Sequence, residues 1–180
     1  MKFIFDFDDV LFNTARYREE HFFPTLEKAG VLPSDIDDYF KKTGKKLWSI
    51  KDILAYFSIN ELYDEIMRGS ENFKNKKLIE IIKKIGKKNC YIVTHGDEEF
   101  QLDKIKRTEI GSLFSEIIVV PEGKKGAVEK ICAKHKNEKV IFVDDQAKHF
   151  EDLDFKKYPN LKTILYDEKG FEKVMAEIGR

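Results

Sequence analysis

The sequence predicts an α/β protein built on a parallel sheet, with a helical unit inserted after the first strand. Three observations lead there. Lys2-Phe3-Ile4-Phe5 is a mostly apolar run that ends abruptly in Asp6, Asp8 and Asp9, the pattern of a strand covered on both faces with a charged end. From Lys76 onward, short apolar runs alternate with amphipathic helical patterns of roughly 10–15 residues, which argues for crossover connections and parallel strands. Between these regions, residues 13–75 carry helical periodicities and no strand-like run.

Taken in order, the first strand is followed by an insertion in which Pro24 begins or kinks a helix that stops at Gly30. Ser34-Asp35-Ile36-Asp37 opens a second in the manner of a capping box. Leu47, Ile50, Ile53, Leu54 and Phe57 line one face of a third helix; Ile59, Leu62, Tyr63, Ile66 and Met67 line a fourth, with Ser58 between them. Each is too short to be stable alone and is expected to pack on its neighbours, Trp48 included. Leu78, Ile81, Ile82 and Ile85 then form the face of a helix stopped by Gly86. Expected next are a strand at Cys90 to Thr94, a helix from Asp97 to Thr108 and a strand at Ile117 to Val120. A helix from Gly126 to His135, strands at Lys139 to Val143 and Leu161 to Leu165, and a terminal helix bearing Phe171, Val174, Met175 and Ile178 complete the chain. The expected organisation is a Rossmann-like core of residues 1–12 and 76–180, with a helical cap at 13–75.

Composition narrows the function classes. Lys plus Arg and Asp plus Glu number 33 each, so no global basic field exists to attract a nucleic acid polymer or an anionic membrane. Cys90 and Cys132 fall at core-facing positions and suit a reducing compartment. The short apolar start is not a signal peptide, and no stretch is long enough to span a bilayer. A cytoplasmic protein, monomeric by default, is expected.

Parallel α/β sheets place ligands at the carboxyl ends of their strands. Here those ends are all polar: Asp6-Phe7-Asp8, Thr94-His95-Gly96, Pro121-Glu122-Gly123 leading to Lys124-Lys125-Gly126, and Asp144-Asp145. Two carboxylates two residues apart on a strand share a face and repel unless a cation or a shared proton lies between them. A solvated acidic turn is the bland alternative. Several carboxylates, a hydroxyl beside glycine and an ammonium group form the inventory for phosphoryl chemistry with Mg²⁺, a hard cation served by one or two carboxylates plus substrate oxygens.

On these four segments the sequence resembles the haloacid dehalogenase-like (HAD) hydrolase superfamily. Asp6-Phe7-Asp8-Asp9-Val10-Leu11 is similar to its first motif, Thr94 within Ile92-Val93-Thr94-His95-Gly96 to its second, Lys125 in Lys125-Gly126-Ala127-Val128 to its third and Phe142-Val143-Asp144-Asp145 to its fourth. Gln101, Lys104 and Gly111-Ser112-Leu113-Phe114 resemble the surroundings of such sites. The resemblance implies Asp6 as nucleophile forming an aspartyl-phosphate and Asp8 as general acid and base. Thr94 and Lys125 would hold the phosphoryl group, and His95 and Gly96 would border it. Mg²⁺ would bind Asp6, the Asp8 backbone carbonyl and Asp145, with Asp144 supporting. Lys125 is preferred to Lys124 because the glycine and helix pattern that follow fit better, and Asp145 to Asp144 as direct ligand from its motif position. Arg16, Arg18, Lys45 and Lys46 could reach a phosphorylated substrate from the cap side, but are read as solvated surface charges.

The expected activity is therefore Mg²⁺-dependent hydrolysis of a small phosphorylated metabolite, a phosphomonoester. A phosphotransferase or phosphomutase of the same superfamily, or a non-catalytic phospho-acceptor or binding module, is the alternative. A receiver-type module is disfavoured because the candidate nucleophile lies in the first strand and is followed by a cap-sized insertion.

Overall fold

The structure, a computed structural model, describes residues 1–44 and 48–179. Lys45, Lys46 and Leu47 therefore lie outside the described residues. The sheet consists of β1 (Lys2–Phe5), β2 (Cys90–His95), β3 (Glu116–Val120), β4 (Val140–Asp144) and β5 (Leu161–Leu165). Their spatial order is β3-β2-β1-β4-β5, and every pairing is parallel. The chain builds outward from β1 to β3, then returns to the other side of β1 for β4. β1 thus sits beside the topological switch point, where the crevice for a ligand opens.

Strand residues alternate between two apolar clusters. Phe3, Phe5, Ile92, Ile141 and Val143 belong to one; Ile4, Tyr91, Val93, Val140 and Phe142 belong to the other. Both faces of the central strands are covered, which is why β1 reads as an unbroken apolar run rather than an alternating one. Cys90 and Cys132 lie buried and free in opposite clusters, and burial pushes their thiols up to about 12 and about 11.

The insertion holds α1 (Thr14–Tyr17), which runs through a π-helical turn at Arg18–Phe22 into α2 (Phe23–Lys28), then α3 (Pro33–Thr43), α4 (Ile50–Phe57) and α5 (Tyr63–Arg68). Pro24 stands in the first turn of α2, and Gly30 beyond its end adopts φ +83°. α3 begins one residue before the expected Ser34 start. Leu32 is its cap, Pro33 opens the first turn, and the Asp35 carboxylate accepts from the Leu32 N–H at 2.8 Å. Pro33 explains the shift, because its fixed φ suits the first helical position and its missing N–H costs nothing there.

The insertion is joined to the core by two adjacent segments. Phe12 and Lys74 form an antiparallel bridge, Asn13 N–H donates to Phe73 O, and Asn75 Nδ2 donates to Val10 O and to the Tyr166 hydroxyl oxygen at 2.9 and 2.7 Å. Tyr17, Phe22, Ile53, Leu54, Ile66 and Met67 of the insertion lie in the same apolar cluster as Phe3 and Phe5 of the sheet.

The remaining helices are α6 (Lys76–Ile85), α7 (Glu98–Arg107), α8 (Lys125–Lys134) and α9 (Gly170–Ile178). On α9, Glu177 is buried and accepts from both Lys139, just before β4, and Lys162 of β5. These two lysines hold its carboxyl down at about 2, against an ordinary 4.5. A depressed carboxyl stabilises the fold above its unfolded-state value, and that stabilisation is lost as pH falls through the folded one. The lysine side chains remain 39% and 45% exposed, so water screens the pairs and the contribution is about 1 kcal/mol. Glu177→Gln is expected to lower stability in urea titrations by that amount at pH 7. The deficit should shrink as pH falls from 4.5 towards 2.

Candidate active site

The strand register assembles the site. Phe5 pairs with Ile92 on one side and Val143 on the other, so Asp6, one residue further on, emerges between the ends of β2 and β4, beside Thr94 and Asp144. The Asp6 N–H still donates to Val143 O at 2.9 Å. Beyond it the chain turns sharply: Asp9 has φ +54°, and its carboxylate accepts from the N–H groups of Thr14 and Ala15 at 2.9 and 3.3 Å. Asp9 thus holds the start of the insertion, and its charge adds to the rise of the Asp145 carboxyl.

Asp6 and Asp144 are bridged by one ammonium group. Lys124 Nζ lies 2.8 Å from Asp6 Oδ2 and 2.7 Å from Asp144 Oδ2, and all three side chains are at most 5% exposed. Burial pushes the Asp6 carboxyl up to about 7; Lys124 opposes that rise and the Asp144 charge adds to it. Asp6 Oδ1 also accepts from the Phe7 N–H at 2.7 Å.

This geometry corrects the choice between the paired lysines. Lys125 is 44% exposed, donates to the Asp152 carbonyl and lies 3.8 Å from Glu129. The helix α8 begins at Lys125, one residue before the expected Gly126, which leaves Lys124 as the last residue of the loop from β3. Successive residues around a helix start are about 100° apart, so when Lys124 faces the sheet end, Lys125 faces solvent.

Asp144 is saturated. Besides Lys124 it accepts from the Gln146 N–H at 2.9 Å and lies 2.9 Å from His149 Nδ1. Asp145, by contrast, keeps a buried Oδ1 without a hydrogen-bond partner. Asp6, Asp144 and Asp145 each offer an oxygen, all within 4.8 Å of one another. An unpartnered buried carboxylate oxygen beside two others fits a hard divalent cation.

Asp8 faces another way from Asp6. Its Oδ1 accepts from Lys104 Nζ and Thr14 Oγ1, both at 2.5 Å, and its Oδ2 from Gln101 Nε2 at 2.8 Å. Burial alone would raise this carboxyl; Lys104, Thr14 and Gln101 together hold it below its ordinary value. Lys104 is itself almost wholly buried, with its ammonium about 5 Å from the ring centres of Phe7, Phe12 and Phe100. Gln101 approaches Asp8 across Gly96, where φ is +153° and a Cβ would stand 2.9 Å from Gln101 Nε2. Gly96 therefore serves to admit Gln101.

Thr94 is 1% exposed, and its Oγ1 has no partner. His95 is exposed, with Nε2 3.1 Å from Pro121 O. Asp6, Asp8, Thr94, His95, Lys124, Gln146, Lys148 and His149 enclose a cavity of about 160 Å³. A wider cleft of about 690 Å³ lies by the connecting segments, lined by Asp9, Arg16, Lys74 and Tyr166, and includes none of Asp6, Thr94 or Lys124.

No protein-family profile and no curated protein matches the sequence. Solved structures do match it. The candidate HAD-hydrolase YfnB of Bacillus subtilis, described in a magnesium-bound form, superposes with a TM-score of 0.57 at 13% identity, over 99% of this chain and 98% of that one. The chain has the HAD-like hydrolase fold. A subfamily IA HAD hydrolase of Geobacter sulfurreducens gives 0.58 at 13% identity over 98% of both chains. A candidate β-phosphoglucomutase of Thermotoga maritima gives 0.58 at 18% identity over 99% and 100%. Residues that follow or end β1, β2 and β3 thus line one cavity, with Gln146, Lys148 and His149 beyond β4 completing it, while Lys104, Thr14 and Gln101 hold Asp8 at its border. Among the described residues no helix is long and apolar enough to cross a membrane.

The connection between Asp8 and Lys104 was only partly legible. Gln101 and Lys104 were noted as surroundings, but nothing in their spacing says that the apolar face of α7 would carry an ammonium group inward. Their separation of three residues, which puts both on one helix face, was the available signal.

Proposed function

We propose that the protein is a Mg²⁺-dependent phosphomonoesterase acting through an aspartyl-phosphate on Asp6. One observation carries this reading: a buried carboxylate, Asp6, touches a buried lysine at a cavity that also presents the partnerless hydroxyl of Thr94. A structural ion pair would not require an unsatisfied hydroxyl beside it, since a buried polar atom without a partner is costly.

Asp6 attacks phosphorus, forming the acyl-phosphate bond as the ester oxygen departs. Asp8 gives a proton to that oxygen, then takes one from the water that cleaves the acyl-phosphate, releasing orthophosphate and regenerating Asp6. Thr94 Oγ1 and Lys124 Nζ donate to the phosphoryl oxygens as charge builds on them. Asp8 is ionised while it is bound to Lys104, which suits the base half of the cycle; as acid it must leave that amine and carry a proton, the one it takes from water in the second half of the preceding turnover. Mg²⁺ would be held by Asp6, Asp145 and the Asp8 backbone carbonyl, with Asp144 oriented by Lys124 and His149 behind them. When bound, it supplies positive charge that offsets the repulsion between a carboxylate nucleophile and a phosphate dianion.

The test is orthophosphate release from p-nitrophenyl phosphate. Turnover is expected with Mg²⁺, lost in EDTA and restored by excess Mg²⁺. Turnover indifferent to EDTA would sink the proposal. The likeness to a candidate β-phosphoglucomutase favours a second reading, phosphoryl transfer between positions of one sugar phosphate. That reading predicts isomerised product without stoichiometric orthophosphate.

A further inference from the structure

A second cavity, of about 170 Å³, adjoins the phosphoryl-sized one. Asp8, Thr14, Tyr17, Arg18, Trp48, His95, Gly96, Phe100, Gln101 and Lys104 line it. Asp8 and His95 belong to both cavities. In a phosphomonoester bound with phosphorus at Asp6, the oxygen that Asp8 must reach is the bridging one. The group attached to that oxygen therefore extends past Asp8 into the second cavity.

The walls of this cavity include the aromatic rings of Tyr17, Trp48 and Phe100, and its charged groups are Asp8, Arg18 and Lys104. Asp8 is paired with Lys104, and the charges of Asp9, Asp37 and Asp8 act on Arg18 without an ion pair to any of them. Arg18 forms no ion pair among the described residues, and its Nε is buried without a hydrogen-bond partner. Its guanidinium stacks on the Trp48 ring, 4.1 Å from the centre, with Phe23 at 5.6 Å. Trp48 is in turn packed against Phe22 and Phe40. Stacking restrains the planar fork of a residue that lines the cavity, and a fork so held can recognise carboxylate or phosphate with two parallel hydrogen bonds. Burial lowers the Arg18 pKa, opposed by Asp9, Asp37 and Asp8.

Building on the phosphomonoesterase reading, we propose that Arg18 is a specificity-determining residue and that the substrate is a small phosphomonoester whose leaving group carries a second anion, a carboxylate or another phosphate. The cavity is smaller than the roughly 300–1,000 Å³ of pockets for drug-sized ligands, which limits the leaving group to a few carbons. This makes Arg18 part of the binding machinery rather than a solvated surface charge.

Two measurements test this independently. In the first, kcat/KM is compared for 3-phosphoglycerate, 1,3-propanediol bisphosphate and glycerol 3-phosphate, which carry respectively a carboxylate, a phosphate and no second anion. At least one of the two esters with a second anion is expected to exceed glycerol 3-phosphate by about 10- to 100-fold, and whichever does identifies the anion. Arg18→Met should reduce that ratio to near one, and Arg18→Lys, which keeps the charge but not the fork, should reduce it by about fivefold. Arg18→Lys decides the matter if Arg18→Met fails to fold by circular dichroism. A ratio near one in the wild type, or a ratio unchanged in Arg18→Lys, overturns the proposal.

In the second, calorimetry with Mg²⁺-loaded Asp6→Asn protein compares binding of the same esters without turnover. A preference for an anion-bearing ester that depends on Arg18 supports the assignment even if the wild type releases no orthophosphate, in which case the hydrolytic reading alone fails. Equal affinities for all three overturn it.

Discussion

Asp6→Asn is expected to reduce orthophosphate release by about four orders of magnitude or more, since the variant replaces the proposed nucleophile. The amide is nearly isosteric with the carboxylate and is a far poorer nucleophile. It should leave the fold intact, because Lys124 keeps Asp144 as a partner at 2.7 Å and a carboxyl pushed up to about 7 by burial is replaced by a neutral group. The measurement is single-turnover release of phosphate, paired with a thermal melt. A folded Asp6→Asn protein that retained a tenth of wild-type turnover would assign the nucleophile elsewhere.

Lys124→Met carries the second large effect, and it falls on stability and activity together. Two buried carboxylates would face each other without the ammonium group that joins them. Breaking a buried pair in this way costs about 3–5 kcal/mol, moderated here because Asp6 or Asp144 can take up a proton. If Lys124 is the proposed donor to the transferring phosphoryl group, its loss lowers kcat by about 10²- to 10³-fold. Lys125→Ala is the matched control. It removes an exposed side chain bonded to the Asp152 carbonyl, and surface changes of this kind usually stay within about 0.5 kcal/mol. Urea titration and steady-state kinetics on both variants check the assignment, and reversed effects would return the site lysine to position 125.

These lysines also mark the boundary of what one-dimensional pattern can resolve. The two are adjacent where the loop from β3 gives way to a helix, and Gly126 and Ala127 follow the pair. Pattern locates helix ends only to within a residue or two, yet a single-residue shift exchanges the buried side chain for the exposed one. The same limit explains the start of α3, which Pro33 moved ahead of Ser34.

That the Arg18 and Lys104 side chains turn inward was hidden for a different reason. Both lie in amphipathic helical stretches, where a charge is ordinarily on the solvated face. Whether a long cationic side chain turns inward depends on what closes over it. For Lys104 that is Phe7, Phe12 and Phe100 around a waiting carboxylate; for Arg18 it is Trp48, from a segment some thirty residues away in the chain.

Local order by itself determined the parallel α/β core, the polar strand ends and the carboxylate pair after β1, because strand burial and side-chain alternation are written in short runs of residues. Only the tertiary structure decided which lysine joins Asp6 to Asp144, that Asp145 keeps a free buried oxygen, and that Asp8 rests against Lys104 at the border of two cavities. Those outcomes depend on register between strands distant in sequence and on packing across the insertion, where distances of 3 Å are set by contacts that no local pattern encodes.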